Sequence, residues 1–197
     1  MRYDGEHKAK TRERVLKEAA RAIRAQGPHR VGVAEVMAKA GLTHGGFYAH
    51  FASKDALIAA SIGQMFTEGA GRFAMETQGV APAEGLSRYV DFYLSARHRD
   101  SRGAGCPLPY LSADIPRLSG EAREAFAAGV EGLRARLAAH LAMIGRPDPE
   151  DEAGSMLAEL VGALCLARAE PDPARSDAIL SRSRAALKTR LGLEMAR

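Results

Sequence analysis

Apolar positions along the chain recur at helical spacing and are cut by glycine, proline and short polar caps. A first helix is expected from about Thr11 to Ala25, with Leu16, Ala20 and Ile23 on its buried face, stopping at Gln26-Gly27-Pro28. Val33, Val36, Met37 and Ala40 then fall at i, i+3, i+4 and i+7, an apolar stripe on one face of a second helix. Gly41 can take the left-handed geometry that ends a helix, with Leu42 turned back to the core and Thr43 capping the next helix. From His44 that helix sets Phe47 and Phe51 inward, four apart, and His44 and Tyr48 outward. A fourth helix starts after Ser53 and packs through Leu57, Ile58, Ile62, Met65 and Phe66.

The pattern continues to the far end. A helix over 83–97 would bury Leu86, Tyr89, Val90 and Tyr93; the irregular stretch around prolines 107, 109 and 116 leaves room for a short helix at about 107–114. A long helix capped by Ser119 runs over 120–144, with Phe126, Val130, Leu133, Leu137 and Leu141 inward. Asp148-Pro149 and Asp172-Pro173 each set an aspartate cap before a proline at the first helical position, opening two last helices. The first of these carries Met156, Leu157, Leu160, Val161, Leu164 and Cys165, more apolar surface than one face requires. The chain is thus expected to be all-α, with about nine helices.

The stretch from Gly32 to Phe51 is the most informative, because two short helices around a glycine turn form the helix-turn-helix layout whose second helix enters the DNA major groove. Helix pairs joined by such turns occur in any all-helical protein, so the details carry the reading. The turn is only a few residues long, and the second helix opens with Gly45 and Gly46. Each glycine costs roughly 1 kcal/mol against alanine in a helix interior, a choice that suits close approach of another backbone such as a phosphate strand. Lys54 follows the aromatic anchor.

The run TRERVLKEAARAIRAQGPHRVGVAEVMAKAGLTHGGFYAHFASKDALIAASI, densest in AGLTHGGFYAHFASKDAL, resembles the DNA-binding domain of the TetR/AcrR family of bacterial transcriptional regulators. The resemblance implies a basic arm at 1–10, a three-helix DNA-binding domain at 11–52 and a helical regulatory and dimerisation domain at 53–197. It implies a homodimer, joined through the last two helices as a four-helix bundle, on a near-palindromic double-stranded operator. His44 and Gly45 would lie at base edges, Tyr48 and His50 nearer the backbone, and Thr43 and Lys54 on phosphates, with Gly46 also in the DNA-binding set. A small-molecule effector would sit among Tyr89, Phe92, Tyr93, Leu108, Tyr110, Phe126, Met156 and Leu160, each of which also suits plain core, and repression is the family default. Three positions depart from the family pattern: Gly32 for a capping Ser or Thr, Ala34 for an arginine, and His44 for a lysine. DNA affinity is therefore expected to lean on Arg30 and on Arg2, His7, Lys8 and Lys10 of the arm.

Composition supports this division. Residues 1–58 hold 11 Lys and Arg against 6 Asp and Glu, a net of +5, while the remainder nets −1 with 17 against 18. The positive excess lies at the end that would meet a polyanion. Hydrophobic residues make up 46% and aromatics 6%, with no Trp, so Ala, Leu and Val dominate the core, which favours helices. No apolar run reaches the ~20 residues of a membrane span and the first ten residues have no signal core, so a cytoplasmic protein is expected.

Two cysteines make no disulfide framework. Cys165, among leucines, reads as inert core. Cys106, in Gly-Cys-Pro, reads either as a small buried residue at a tight turn or as a thiol sensor. In the sensor reading a helix start at Pro107 and the charges of Arg97 or Arg102 favour the thiolate. Cys106 with His98 would be the basis of a thiol-dependent enzyme, but no oriented base or oxyanion site stands at fixed spacing. No metal, phosphate-loop or dinucleotide spacing appears, so no enzyme, cofactor or metal is expected. An architectural DNA-binding protein without a ligand is the remaining alternative.

Overall fold

The computed structural model describes residues 2–101 and 103–194, with side chains from Glu6 onward. The helices are α1 (Arg2–Gln26), α2 (Val33–Lys39), a 3-10 helix (His44–Ala49), α3 (Lys54–Thr77), α4 (Pro82–Tyr93), α5 (Ala96–Asp100), α6 (Leu108–Leu111), a 3-10 turn (Ile115–Arg117), α7 (Gly120–Met143), α8 (Pro149–Ala169) and α9 (Pro173–Leu191). No strand occurs among the described residues.

Most boundaries follow local chemistry. The Ser53 hydroxyl accepts from the Ala56 amide at 3.0 Å to open α3, and Ser119 accepts from Ala122 at 3.4 Å to open α7. Asp172 caps α9 by accepting from the Arg175 amide at 2.8 Å, whereas the Asp148 side chain makes no such bond at α8. The single helix expected over 83–97 is broken. Leu94 leaves the helical region, and the Ser95 hydroxyl donates to the Phe92 carbonyl at 2.7 Å while accepting from the His98 amide at 3.1 Å. A serine that bonds the backbone on both sides ends one helix and caps the next. The segment expected as a basic arm is helical from Arg2, since α1 extends back through it and no proline interrupts it.

Two compact units form, and they do not follow a cut at residue 53. Unit 1 joins Met1–Thr67 to Arg102–Gly129, and unit 2 joins Glu68–Ser101 to Val130–Arg197. The core of unit 1 takes Val15, Ala19 and Ile23 from α1, Val36 and Met37 from α2, Phe47 and Phe51, and Leu57, Ile62 and Met65 from α3. Leu111 and Ala122 are buried in the same cluster, with Tyr110, Ile115, Leu118 and Phe126 packed against it. In unit 2, α8 lies along α9, with α4 and α5 against the pair. Its fully buried side chains include Leu86, Tyr93, Leu137, Leu141, Met156 and Leu160. Cys165 is not core: it and its neighbour Leu166 (63% exposed) lie on the surface of α8. The apolar residues of this helix run around more than one face, so one packing partner cannot cover them all.

Candidate nucleic-acid interface

The turn after α2 is built by a complete glycine cap. Gly41 adopts φ +72°, its amide donates to the Ala38 carbonyl at 3.0 Å, and the Leu42 amide donates to the Met37 carbonyl at 2.9 Å. This pair of bonds is the Schellman motif, which closes the orphan carbonyls of α2 and turns the chain. Leu42 packs back on the core as its place in the motif requires.

The second helix forms as a six-residue 3-10 helix, His44–Ala49, where an α-helix was expected. Two glycines at its start weaken any helix, and three residues per turn suit a short connector. Phe47 and Phe51 are buried and stack at 5.7 Å, and the Phe51 amide reaches the Phe47 carbonyl at 3.0 Å, so the inward pairing survives the change. Tyr48, 72% exposed, stands edge-on to Phe47 at 5.2 Å, and His44 is exposed beside it. Thr43 occupies the cap position in extended geometry, but its hydroxyl makes no cap bond. A Cβ on Gly45 would meet no atom within 4 Å, and on Gly46 only Met37 Cε at 3.8 Å and Thr43 Oγ1 at 3.9 Å. The chain's own packing therefore does not demand glycine at either position. Gly32 caps α2 with no side chain to offer, as its identity requires.

The flanking basic residues divide. Arg30 is exposed. The Lys54 ammonium donates to the His29 carbonyl at 3.1 Å, tying the start of α3 to the loop after α1 and leaving two further N–H donors. Arg12, which sequence reasoning missed, places its guanidinium 4.8 Å over the Phe51 ring. His50 caps the 3-10 helix, partly enclosed, with Nδ1 shielded and without a hydrogen-bond partner among the described residues. Burial first, then the charges of Lys8 and Arg12, hold this imidazole below the ordinary histidine value. The signal that would have found Arg12 is its four-residue spacing from Lys8, which matters only once α1 extends through the arm. Arg2 has no described side chain.

The expected effector residues fall in both units. Leu108, Tyr110 and Phe126 belong to unit 1, and Phe126 meets Phe66 edge-on at 5.6 Å. Tyr89, Phe92, Tyr93, Met156 and Leu160 belong to unit 2. There Phe92 stacks on His98 at 5.1 Å and lies 3.9 Å beneath the Arg72 guanidinium, while Phe73 meets Tyr89 at 4.8 Å and His140 at 4.9 Å. His98, Arg72, Phe73 and His140 gave no periodic signal of their own. The His98 ring is 2% exposed, edge-on to Tyr93 and 2.8 Å from its carbonyl through Nδ1, so its neighbours come from its own unit. Cys106 is buried in unit 1, one residue before the cap. The cap falls on Pro107, and α6 has only four residues, so the expected dipole stabilisation of a Cys106 thiolate lacks its helix. Arg97 is exposed, and Arg102 lies outside the described residues. Among the described residues no helix is long and apolar enough to cross a membrane, and no metal-binding group of His, Cys, Asp or Glu forms.

These features define an all-helical protein with an N-terminal helix-turn-helix. Residues 15–61 match the family model described as bacterial regulatory proteins, tetR family. Solved structures extend the likeness along the chain. One is the reduced form of Escherichia coli NemR, 25% identical, covering 91% of this chain and 96% of that one with a TM-score of 0.78. Another is a TetR transcriptional regulator from Chloroflexus aurantiacus, also 25% identical, covering 95% and 96% with a TM-score of 0.79. A TetR-family regulator from Cytophaga hutchinsonii shares the fold at 19% identity, covering 97% and 98% with a TM-score of 0.79. Comparison with curated proteins finds no match. Residues 15–61 thus carry the domain of the tetR family, and the chain has the fold of TetR-family transcriptional regulators.

Proposed function

We propose that this chain is a homodimeric repressor that grips a near-palindromic operator through the 3-10 helix and leaves it when an effector binds or Cys106 is modified. The observation that carries the DNA reading is the presentation of Thr43 to Tyr48. A Schellman turn and two buried phenylalanines hold this short backbone rigidly, with its hydroxyl, imidazole and phenol groups outward and an open face at Gly45. His44, Gly45 and Gly46 are assigned to base edges, Tyr48 and His50 to the nearby backbone, and Thr43, Lys54 and Arg30 to phosphates. Two copies about 34–36 Å apart would read successive major grooves. The apolar surface of α8 around Cys165 and Leu166 supports a second copy of the α8 and α9 pair as its cover. A protein that acts on operator DNA in this way works in the cytoplasm.

The test uses a duplex that the protein itself selects from a random pool. Wild type should bind it saturably, with log K falling by about 0.9 per phosphate contact for each unit of log salt. Tyr48→Ala should weaken binding at least about tenfold, the scale of a desolvated contact near 1.4 kcal/mol. Equal affinity of wild type for the selected and a scrambled duplex would sink the reading.

Release has two candidate triggers. Small-molecule binding draws on Tyr89, Phe92, Tyr93, Met156 and Leu160 of unit 2 and on Leu108, Tyr110 and Phe126 of unit 1. Thiol modification draws on Cys106, whose segment continues into Leu111 in the core that also holds Phe47 and Phe51. An adduct on a buried thiol there needs space that a packed core does not have. The similar NemR structure is that of a reduced form, which supports asking the same of this thiol. If Cys106→Ser protein releases the duplex like wild type when treated with quinones, hypochlorite and alkylators, only the small-molecule trigger stands.

A further inference from the structure

Resting on the DNA-binding reading above, we propose that Lys8, Arg12 and His50 form one phosphate seat beside the 3-10 helix, and that a DNA phosphate entering it draws a proton onto His50. Three observations meet at this place. The Arg12 guanidinium stands 4.8 Å over the centroid of the Phe51 ring, a contact that leaves its N–H donors available, and Phe51 adjoins His50 with ring centroids 6.4 Å apart. Among the described residues no carboxylate pairs with Lys8 or Arg12, and the charges of both act on His50. The His50 Nδ1 is shut away from solvent without a partner among the described residues, an arrangement that suits a neutral ring and leaves the Nδ1–H of the protonated ring unsupported.

The charged groups acting on His50 are Lys8 and Arg12, both from α1. Lys54 of α3 is engaged with the His29 carbonyl, and the 3-10 helix itself adds the neutral neighbours Phe47, Tyr48 and Phe51. In the DNA-free protein both cations oppose a third positive charge. A phosphate oxygen reverses this, because its negative charge offsets Lys8 and Arg12 and favours the imidazolium beside it. His50 therefore binds a proton more tightly in the complex than in free protein. Affinity for DNA rises as pH falls through the interval between the two values, by at most about tenfold per pH unit for one proton. The seat also compensates for the missing hydroxyl at Gly32 and the missing arginine at Ala34.

The experiment measures affinity for the self-selected duplex at fixed ionic strength near about pH 6 and about pH 8, the range over which a histidine changes charge. It also follows the His50 ring proton by NMR with and without duplex. Wild type is expected to bind at least about threefold more tightly at the lower pH, with the His50 midpoint moving up when duplex is added. His50→Gln should lose most of that pH dependence and His44→Gln should keep it. Arg12→Gln should raise the His50 midpoint in the DNA-free protein. A midpoint unmoved by duplex, or a pH dependence that survives in His50→Gln and disappears in His44→Gln, would overturn the proposal while leaving DNA recognition intact. Selection that yields no preferred duplex sinks the seat and the DNA reading together.

Discussion

Gly129 is the residue on which a single methyl group would have the largest local effect. A Cβ there would lie 2.1–2.4 Å from the Phe66 ring, so α7 has no room for any side chain where α3 lays that ring against it. Alanine would raise helix propensity by about 1 kcal/mol. Overpacking of this degree costs typically about 1–3 kcal/mol, and the steric term wins at so short a distance. Gly129→Ala is therefore expected to lower the thermal midpoint, and Phe66→Leu in the same protein to restore part of the loss; an unchanged midpoint in the single variant would contradict this contact. The Arg12 guanidinium over Phe51 shows the opposite limit of residue-level reading. Both residue types stand plainly in the sequence, yet nothing in their spacing pairs positions 12 and 51.

Among the elements, the helix-turn-helix was legible because its signals are local. Gly41 at φ +72° sits where a glycine following an apolar stripe must sit, and no neighbour lies within 4 Å of its would-be Cβ. Gly41→Ala thus meets only the backbone cost of left-handed geometry, about 1–2 kcal/mol, which is a fall of roughly 2–8 °C in thermal midpoint for a protein of this size. Calorimetry that finds no fall would remove strain at this turn from the account. The type of the second helix was not legible. A spacing of four puts Phe47 and Phe51 on one side of an α-helix but not of a 3-10 helix; they meet here because Phe51 lies beyond the last 3-10 residue and still stacks on Phe47, while the two glycines tip the start to 3-10. The break at Ser95 was missed for a related reason: apolar periodicity runs on through it, while the decision belongs to one hydroxyl bonded in both directions.

For the molecule in full, α8 carries the clearest expectation. Its surface near Leu166 is apolar in the single chain, so Leu166→Glu should leave helicity unchanged and turn a dimer into a monomer in sedimentation, with loss of tight operator binding. A variant that remains dimeric would move the interface elsewhere. The two compact units alter how a trigger would be relayed. Residues 102–129 share a core with the helix-turn-helix, so a trigger at Cys106, Tyr110 or Phe126 would act from inside the same unit. A trigger at Tyr89, Phe92 or Tyr93 would act from the other.

The all-helical class, the main helix boundaries and the identity of the DNA-facing turn were already written in the order of the residues. These rest on apolar period, glycine and proline geometry and side-chain caps, all of which act over a few positions. Packing between distant helices was needed to bring 102–129 into the N-terminal unit, to leave Cys165 at the surface, to seat Phe66 on Gly129, and to set Arg12 over Phe51. Each of those depends on which helix packs beside which. That choice is made by burial and shape across many residues of chain, where a local pattern carries no information about the neighbour it will meet.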